Sequence, residues 1–446
     1  MGQPAAAQVS PGQAPPVQAS APPAAAAAPL RLSLQGAIDR AVERNETVLM
    51  AQADQAQAAG FVREKTAGLF PTISASADYT RNFQRPVFFF NGPDGLQRIE
   101  VGSDNELDLS AGLTQSLYDP VLAPAVRAAR LAREAAAVKV ADARTAVALA
   151  TRQAYYDALL ARDLVTVQQK ALEQAQARLD QVQAFAKAGT ASEFDLLTAQ
   201  VEVENLRPPL IEAKNRSDVT LSQLKRIIAL PLDRPVELTD GFREPAAGEP
   251  SHDAALGEAL AAAQAHRPDL RVLALQVQLQ EQQVVADKRE LLPTLGLSAL
   301  YEKRSSTDAF PPAAGDYANS LTAGLAFDVD LFDGGARSAR LAQARARLDR
   351  VRYELSQATG EVRLDVEQVL LALDAARQQI EASRSTVARA EKALSIAQLR
   401  FRKGLSTQVE LNDAELAVTQ ARSNHSRALH AYSTAHARYL AAIGER

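Results

Sequence analysis

The residues with reactive side chains are few, and their spacing argues against catalysis. The five histidines are His252, His266, His425, His430 and His436. The last three lie five and six residues apart, which scatters them around a helix instead of forming the i,i+4 pair that a metal prefers. They are expected on the surface. The chain has no cysteine, which excludes disulfides, thiolate metal sites and thiol nucleophiles. Asp333-Gly334-Gly335 lacks phosphate-loop spacing and reads as a turn between a strand and a helix. No Ser/His/Asp set or carboxylate pair is recognisable, so the chain is expected not to be an enzyme and to hold neither metal nor cofactor. The acidic residues that do fall in a pattern follow two glycine turns. Ser192-x-x-Asp195 and Thr407-x-x-Glu410 have capping-box spacing or close to it, and a carboxylate there stabilises the start of a helix. Asp413 lies too deep to cap.

Composition narrows the class of molecule that must position these residues. Of the 446 residues 47% are hydrophobic but only 5% are aromatic, with no Trp, and alanine supplies much of the apolar total. That favours long helices over large compact cores. A net charge of -4 with interspersed signs argues against nucleic acid, which requires a basic face. No window of 18 apolar residues is present, so no transmembrane helix is expected. Residues 1–33 form an Ala/Pro/Gln-rich tail that is expected to be disordered, because it has too little apolar surface to bury. The tail lacks the basic start and apolar run of a signal peptide, leaving two expectations: a signal already removed, or a chain that is not exported.

Four stretches alternate strictly between apolar and polar residues, the mark of strands with one apolar face. They are expected at about 71–83, 105–118, 293–303 and 319–332. In the first, Ile73, Ala75, Ala77 and Tyr79 oppose Thr72, Ser74, Ser76 and Asp78; in the last, Leu321, Ala323, Leu325 and Phe327 oppose Ser320, Thr322 and Gly324. Each is long enough to cross a bilayer as a tilted strand, which takes about 9–11 residues. A soluble sheet packed on a helix would show the same pattern. The long loops at 85–103 and 305–319 favour a membrane barrel. Phe88-Phe89-Phe90 in the first loop fits either a membrane-interface patch or packed loop hydrophobes. The remainder has helical period, with unbroken signals at about 121–187 and 336–402, each roughly 100 Å long at 1.5 Å per residue. In the second, positions 344, 348, 351, 355, 358, 362, 366, 369, 373, 376 and 380 make the apolar stripe. Shorter helices are expected at 35–69, 193–230, 254–291 and 408–443, with Pro208-Pro209 interrupting the second.

These elements occur twice. Leu34 through Pro71-Thr72 to Tyr79 corresponds to Leu256 through Pro293-Thr294 to Tyr301, and Leu117-Tyr118-Asp119 corresponds to Leu331-Phe332-Asp333. The expected organisation is a tandem duplication: a first repeat at 34–231, a linker at 232–253 and a second repeat at 254–446. Four strands cannot close a membrane barrel, since bacterial barrels have at least eight, so membrane insertion would require several copies.

The sequence resembles the outer-membrane efflux protein family, the TolC-like channels. The resemblance rests on Leu69-Phe70-Pro71-Thr72 and Leu291-Leu292-Pro293-Thr294, His266-Arg267-Pro268-Asp269-Leu270, Leu331-Phe332-Asp333-Gly334-Gly335, and Phe401-Arg402-Lys403-Gly404-Leu405-Ser406. It covers about residues 34–443. The resemblance implies a mainly α protein with membrane β structure: a homotrimer with a twelve-stranded barrel in outer-membrane lipid, continuous with a long periplasmic α-helical barrel. It also implies a passive exit duct of a tripartite efflux pump or type I secretion system. Its partners would be a periplasmic adaptor and, through it, an inner-membrane transporter. The turns holding Gly189, Thr190 and Ser192, and Gly404, Leu405 and Ser406, resemble the tips where the adaptor docks. Asp195, Glu410 and Asp413 align with the family's acidic periplasmic aperture, leaving capping and gating both open for the first two. The rival expectation is a soluble coiled-coil scaffold, which accounts for the helices but not for four recurring strands.

Overall fold

The computed structural model describes residues 29–93, 95–246, 252–310 and 317–445. The first half runs β1 (Leu30–Leu32), α1 (Leu34–Arg44), α2 (Glu46–Ala67), β2 (Thr72–Arg81), β3 (Val87–Gly92), β4 (Gly95–Glu100), β5 (Asn105–Tyr118), α3 (Leu122–Lys187) and α4 (Glu193–Ile227). The second runs β6 (Val236–Leu238), α5 (His252–His266), α6 (Pro268–Arg289), β7 (Thr294–Thr307), β8 (Tyr317–Asp328), α7 (Ala336–Arg402) and α8 (Gln408–Ala442). The two longest helices have 66 and 67 residues, about 100 Å each, and the two that return from them have 35 apiece.

The strand-to-helix turns explain why Asp follows an aromatic in both halves. Asp119 Oδ1 accepts the Val121 N–H at 2.9 Å, and Asp333 Oδ1 accepts the Gly335 N–H at 3.1 Å, so each carboxylate closes an Asx turn before its helix. On α7 every expected stripe position from 344 to 380 is buried or half-buried. On α3 the expected apolar positions 125, 129, 132, 136, 140, 143, 147, 154 and 158 are likewise buried or half-buried, and of that stripe Ala150 alone is exposed.

β2, β5, β7 and β8 form one antiparallel sheet in that order, leaving β2 and β8 each with a free edge. The register places Ala75, Ala111, Tyr301 and Leu321 in one row, and Ile73, Leu113, Ala299 and Ala323 in the next. The opposite face carries Ser76, Ser110, Glu302 and Ser320, and then Asp78, Asp108 and Arg304. Ser76 and Ser110 share a 2.8 Å hydrogen bond, and Arg304 pairs with Asp108. The apolar face is bare: Ile73 and Leu321 are each 75% exposed. Among the described residues no helix is long and apolar enough to cross a membrane.

Several expectations need correction. The strand expected at 71–83 is Thr72–Arg81, that at 293–303 extends to Thr307, and that at 319–332 is Tyr317–Asp328. The helix expected at 35–69 breaks at Asn45, whose side chain caps α2 at Thr47 N and donates to Ile227 O at 2.9 Å. The helix expected at 254–291 breaks at Arg267, where Pro268 opens α6 and Arg267 pairs with Asp269 and with Asp365 of α7. Pro208 and Pro209 do not interrupt α4, which runs on through both. The first long loop contains the hairpin β3–β4.

The tail and linker also hold structure. Residues 30–32 of the expected tail pair in parallel with 236–238 of the expected linker. This small sheet clasps α3 near its midpoint: Tyr155 Oη donates to Leu32 O at 2.9 Å, Arg162 donates to Leu238 O, and Phe242 packs against the Tyr156 ring. Alternating Leu and Val in both segments supply the apolar side that seats them. The disorder expected of residues 1–28 lies outside the described residues. His425, His430 and His436 are half-buried rather than fully exposed, because neighbouring helices cover part of each: His425 Nδ1 lies 3.0 Å from Ser383 Oγ of α7, and His430 Nε2 lies 2.6 Å from Asp157 of α3.

Candidate functional site at the helical tips

Far from the sheet, each long helix reverses through the same turn. Gly189 and Gly404 adopt φ of 76° and 72°, which only glycine takes without strain. In the first turn the Gly189 N–H bonds to Ala186 O at 3.0 Å and the Thr190 N–H to Phe185 O at 2.9 Å. In the second the Gly404 N–H bonds to Phe401 O and the Leu405 N–H to Arg400 O, both at 2.9 Å. This paired pattern is the Schellman motif, which satisfies the last carbonyls of a helix.

The returning helices start differently. Ser192 and Asp195 make a full capping box: Ser192 Oγ accepts the Asp195 N–H at 3.1 Å, and Asp195 Oδ2 accepts the Ser192 N–H at 3.0 Å and its hydroxyl at 2.6 Å. The hydroxyl and amide of Ser192 hold the Asp195 carboxyl below the usual carboxylate range. Thr407 Oγ1 likewise accepts the Glu410 N–H at 3.2 Å, but the Glu410 carboxylate turns to Ser406 and lies 3.9 Å from Arg400. Asp413 is exposed and has no hydrogen bond or ion pair among the described residues. Its counterpart in the first hairpin is Thr198, whose hydroxyl bonds back to Phe194 O at 2.8 Å. Between the two tips lies an open cleft of about 470 Å³, lined by Val182, Phe185, Asp195, Phe401, Arg402 and Thr407 among others. The cleft brings the Gly404 turn and Asp195 together; Glu410 and Asp413 lie outside it.

The residue that sequence reasoning missed is Arg178. Its side chain is 3% exposed, yet it meets two carboxylates, Glu202 of α4 and Glu415 of α8, the latter at 2.5 Å. The guanidinium therefore joins the first hairpin to the second, nine residues before the end of α3. Burial pushes the Glu415 carboxyl up, against the pull of Arg178. The signal was present in the sequence: Arg178 interrupts the seam Ala171, Ala175, Leu179, Val182, where a lone buried cation requires an anion opposite.

The sequence model of the outer membrane efflux protein family matches residues 37–230 and again 259–445. Alkaline protease secretion protein AprF of Pseudomonas aeruginosa is 27% identical over 305 residues, 64% of this chain and 59% of AprF. Protein CyaE of Bordetella pertussis is 28% identical over 292 residues, 66% of this chain and 60% of CyaE. The chain thus spans less than two thirds of these two relatives. Outer membrane protein TolC of Escherichia coli is 24% identical over 400 residues, 87% of this chain and 77% of TolC. Among solved structures, the fold is similar to the Campylobacter jejuni CmeC outer membrane channel, with TM-score 0.77 and 18% identity over 92% of this chain and 85% of that one. It is also similar to outer membrane protein VceC of Vibrio cholerae, with TM-score 0.73 and 19% identity over 92% and 96%. With both halves matched and the same fold in these channels, the chain belongs to the outer membrane efflux protein family.

Proposed function

We propose that this chain is one protomer of a passive exit duct in the outer membrane, serving a tripartite efflux pump or a type I secretion system. The observation that carries the reading is the four-stranded sheet: one face apolar and bare, the other polar and cross-linked, both edges unpaired. An unpaired edge in lipid costs several kcal/mol per backbone group, so β8 of one copy must find β2 of the next. Three copies give a closed barrel of twelve strands within the range of bacterial barrels. The same operation surrounds the axis with the long helices, making a periplasmic α-helical barrel continuous with the β-barrel. The near-equal helix lengths and the double family match support descent from a tandem duplication.

The tips are the docking ends. Gly189, Thr190 and Ser192, with Gly404, Leu405 and Ser406, flank the cleft that a helical hairpin of a periplasmic adaptor would enter, linking the duct to an inner-membrane transporter. Asp195 serves mainly as a helix cap, Glu410 turns its carboxylate to Ser406 in the first turn of α8, and Asp413 supplies the aperture charge. Three copies set Asp413 in a ring, where focused negative potential favours cations and resists leakage.

The decisive experiment is single-channel recording of the detergent-purified protein in a planar bilayer. Discrete, stable openings are expected. Protein of confirmed helicity that stays soluble without detergent and gives no openings would sink the duct in favour of a soluble coiled-coil scaffold.

A further inference from the structure

The hairpin β3–β4 stands at the end of the sheet opposite the helices and has no role in the duct described so far. Residues directly opposite in an antiparallel pair share a face. Phe88, Phe90 and Ile99 therefore lie on one side of the hairpin with Gln97, and Val87, Phe89 and Leu96 lie on the other with Asn91 and the ion pair Arg98–Glu100. Both sides are bare, with Phe88 60% and Phe89 64% exposed. Lipid could cover the first side, but the second mixes charge with its exposed apolar groups, as a protein-facing surface does.

Its base is fixed. Arg85 reaches Asp104 at 3.0 Å and Asp308, in the loop after β7, at 2.5 Å. The Asp104 N–H donates to Asp308 Oδ1 at 3.1 Å, and Asn82 donates to Ser103 O at 2.9 Å. Tyr79 Oη donates to the buried Asn105 side chain at 2.7 Å, and its ring packs on Phe310. The base of the hairpin is thus tied to the rim of β2, β5 and β7.

Resting on the exit-duct reading, we propose that the second occupant of this apolar surface is another copy of the same chain: the three β3–β4 hairpins meet over the outer mouth of the barrel, the Phe88/Phe90/Ile99 face of each against the Phe89/Leu96 face of the next. Two facts favour this occupant over lipid. A ring of copies joined β8 to β2 makes heterologous contacts, so each copy meets two neighbours through two different surfaces, which a two-faced hairpin matches. The reach also suffices: strands of six residues extend about 20 Å, whereas a twelve-stranded barrel is about 24 Å across, so its axis lies about 12 Å from the wall. Hairpins leaning inward collide; they form an apolar cap that narrows the exit.

The cysteine-free chain makes the contact directly testable. One cysteine per chain can link copies only in pairs, whereas a covalent trimer needs one on each face. Oxidising the full-length Phe89→Cys/Phe90→Cys protein in detergent is expected to give covalent trimers on a denaturing gel, and each single variant dimers at most. In planar bilayers Phe88→Ser/Phe90→Ser, which touches only exposed side chains, is expected to raise conductance by about twofold or more by wetting an apolar constriction. Monomers after oxidation, together with wild-type conductance from the serine variant, would overturn the cap and point to lipid as the occupant, leaving the duct intact. Wild-type protein that never conducts would remove the duct and the cap together.

Discussion

The two hairpins, α3–α4 and α7–α8, share a turn but not a charge plan. Both reverse through a glycine Schellman motif and both start the return on a hydroxyl cap. In the first, Asp195 is committed to Ser192 and Thr198 to its own backbone, and Pro208-Pro209 stand in the return helix. In the second, Ser423 and Asn424 occupy the positions of the prolines, and Asp413 stands free. The lesson is that the two halves share the turn geometry but differ in charge at a matched position: Thr198 bonds to its own backbone where Asp413 stands free. Near the tips Arg178 joins the two hairpins, taken by Glu202 of its own hairpin and Glu415 of the other.

The largest expected effect therefore comes from cutting that link. Arg178→Met leaves Glu202 and Glu415 facing each other without a cation, and removing one partner from a buried ion set costs about 3–5 kcal/mol. Hydrogen exchange should accelerate around Ala199 and Val203 and around Leu411 and Val418, the residues packed at that level in each hairpin. Adding Glu202→Gln and Glu415→Leu should recover most of the loss. Exchange unchanged in the single variant would mean that the hairpins are not coupled through Arg178.

A smaller and equal effect is expected at the turns. Gly189→Ala and Gly404→Ala each force a Cβ into the left-handed region at about 1–2 kcal/mol. Equal losses of tip protection would sharpen the claim of one turn used twice; a loss confined to one hairpin would break it. Below these come the caps. Ser192→Ala should cost about 1 kcal/mol at the start of α4, and Thr407→Ala less at the start of α8, because only Ser192 has a reciprocal carboxylate. The pH dependence has a definite sign. The folded-state value of Asp195 is depressed, so its contribution is full above the ordinary value of about 3.9 and is lost as pH falls through the lower folded value. In Asp195→Asn, protection at the start of α4, corrected for intrinsic exchange, should no longer change over that range.

What the sequence could show follows from which interactions are periodic. Alternation marked all four strands of the large sheet, and the 3.6-residue stripe on α7 marked its buried face residue by residue, because each rests on a pattern repeated along one element. The glycine turns and the Ser192-Asp195 box were legible for the same reason: their partners lie three to five residues apart. Contacts between distant segments left no such trace. Leu30–Leu32 and Val236–Leu238 are too short to show a period, and they become strands only through each other and the Tyr155 hydroxyl. The hairpin β3–β4 stayed hidden behind a consecutive Phe88-Phe89-Phe90, which obscures alternation. Pro208-Pro209 misled because propensity counts the lost backbone bonds but not the packing that holds α4 against α3 on both sides of them.

The smallest effect on stability, and the sharpest test of the charge difference, belongs to Asp413. An exposed carboxylate with no partner among the described residues contributes almost nothing to the fold, so Asp413→Ala should leave tip protection within about 0.5 kcal/mol of wild type. If its charge serves the aperture, conductance should rise and cation preference should fall, read as single-channel current and as reversal potential across a salt gradient. Thr198→Asp asks the converse. It adds a carboxylate at the matching position of the first hairpin, one turn past a cap that is already satisfied, and should strengthen cation preference if that position faces the same passage. Asp413→Ala with unaltered current and selectivity would end its gating role and leave the aperture without a charged constriction from this position. A Thr198→Asp variant that changes nothing while Asp413→Ala does would show that, of the two matched positions, only that of the second hairpin faces the passage.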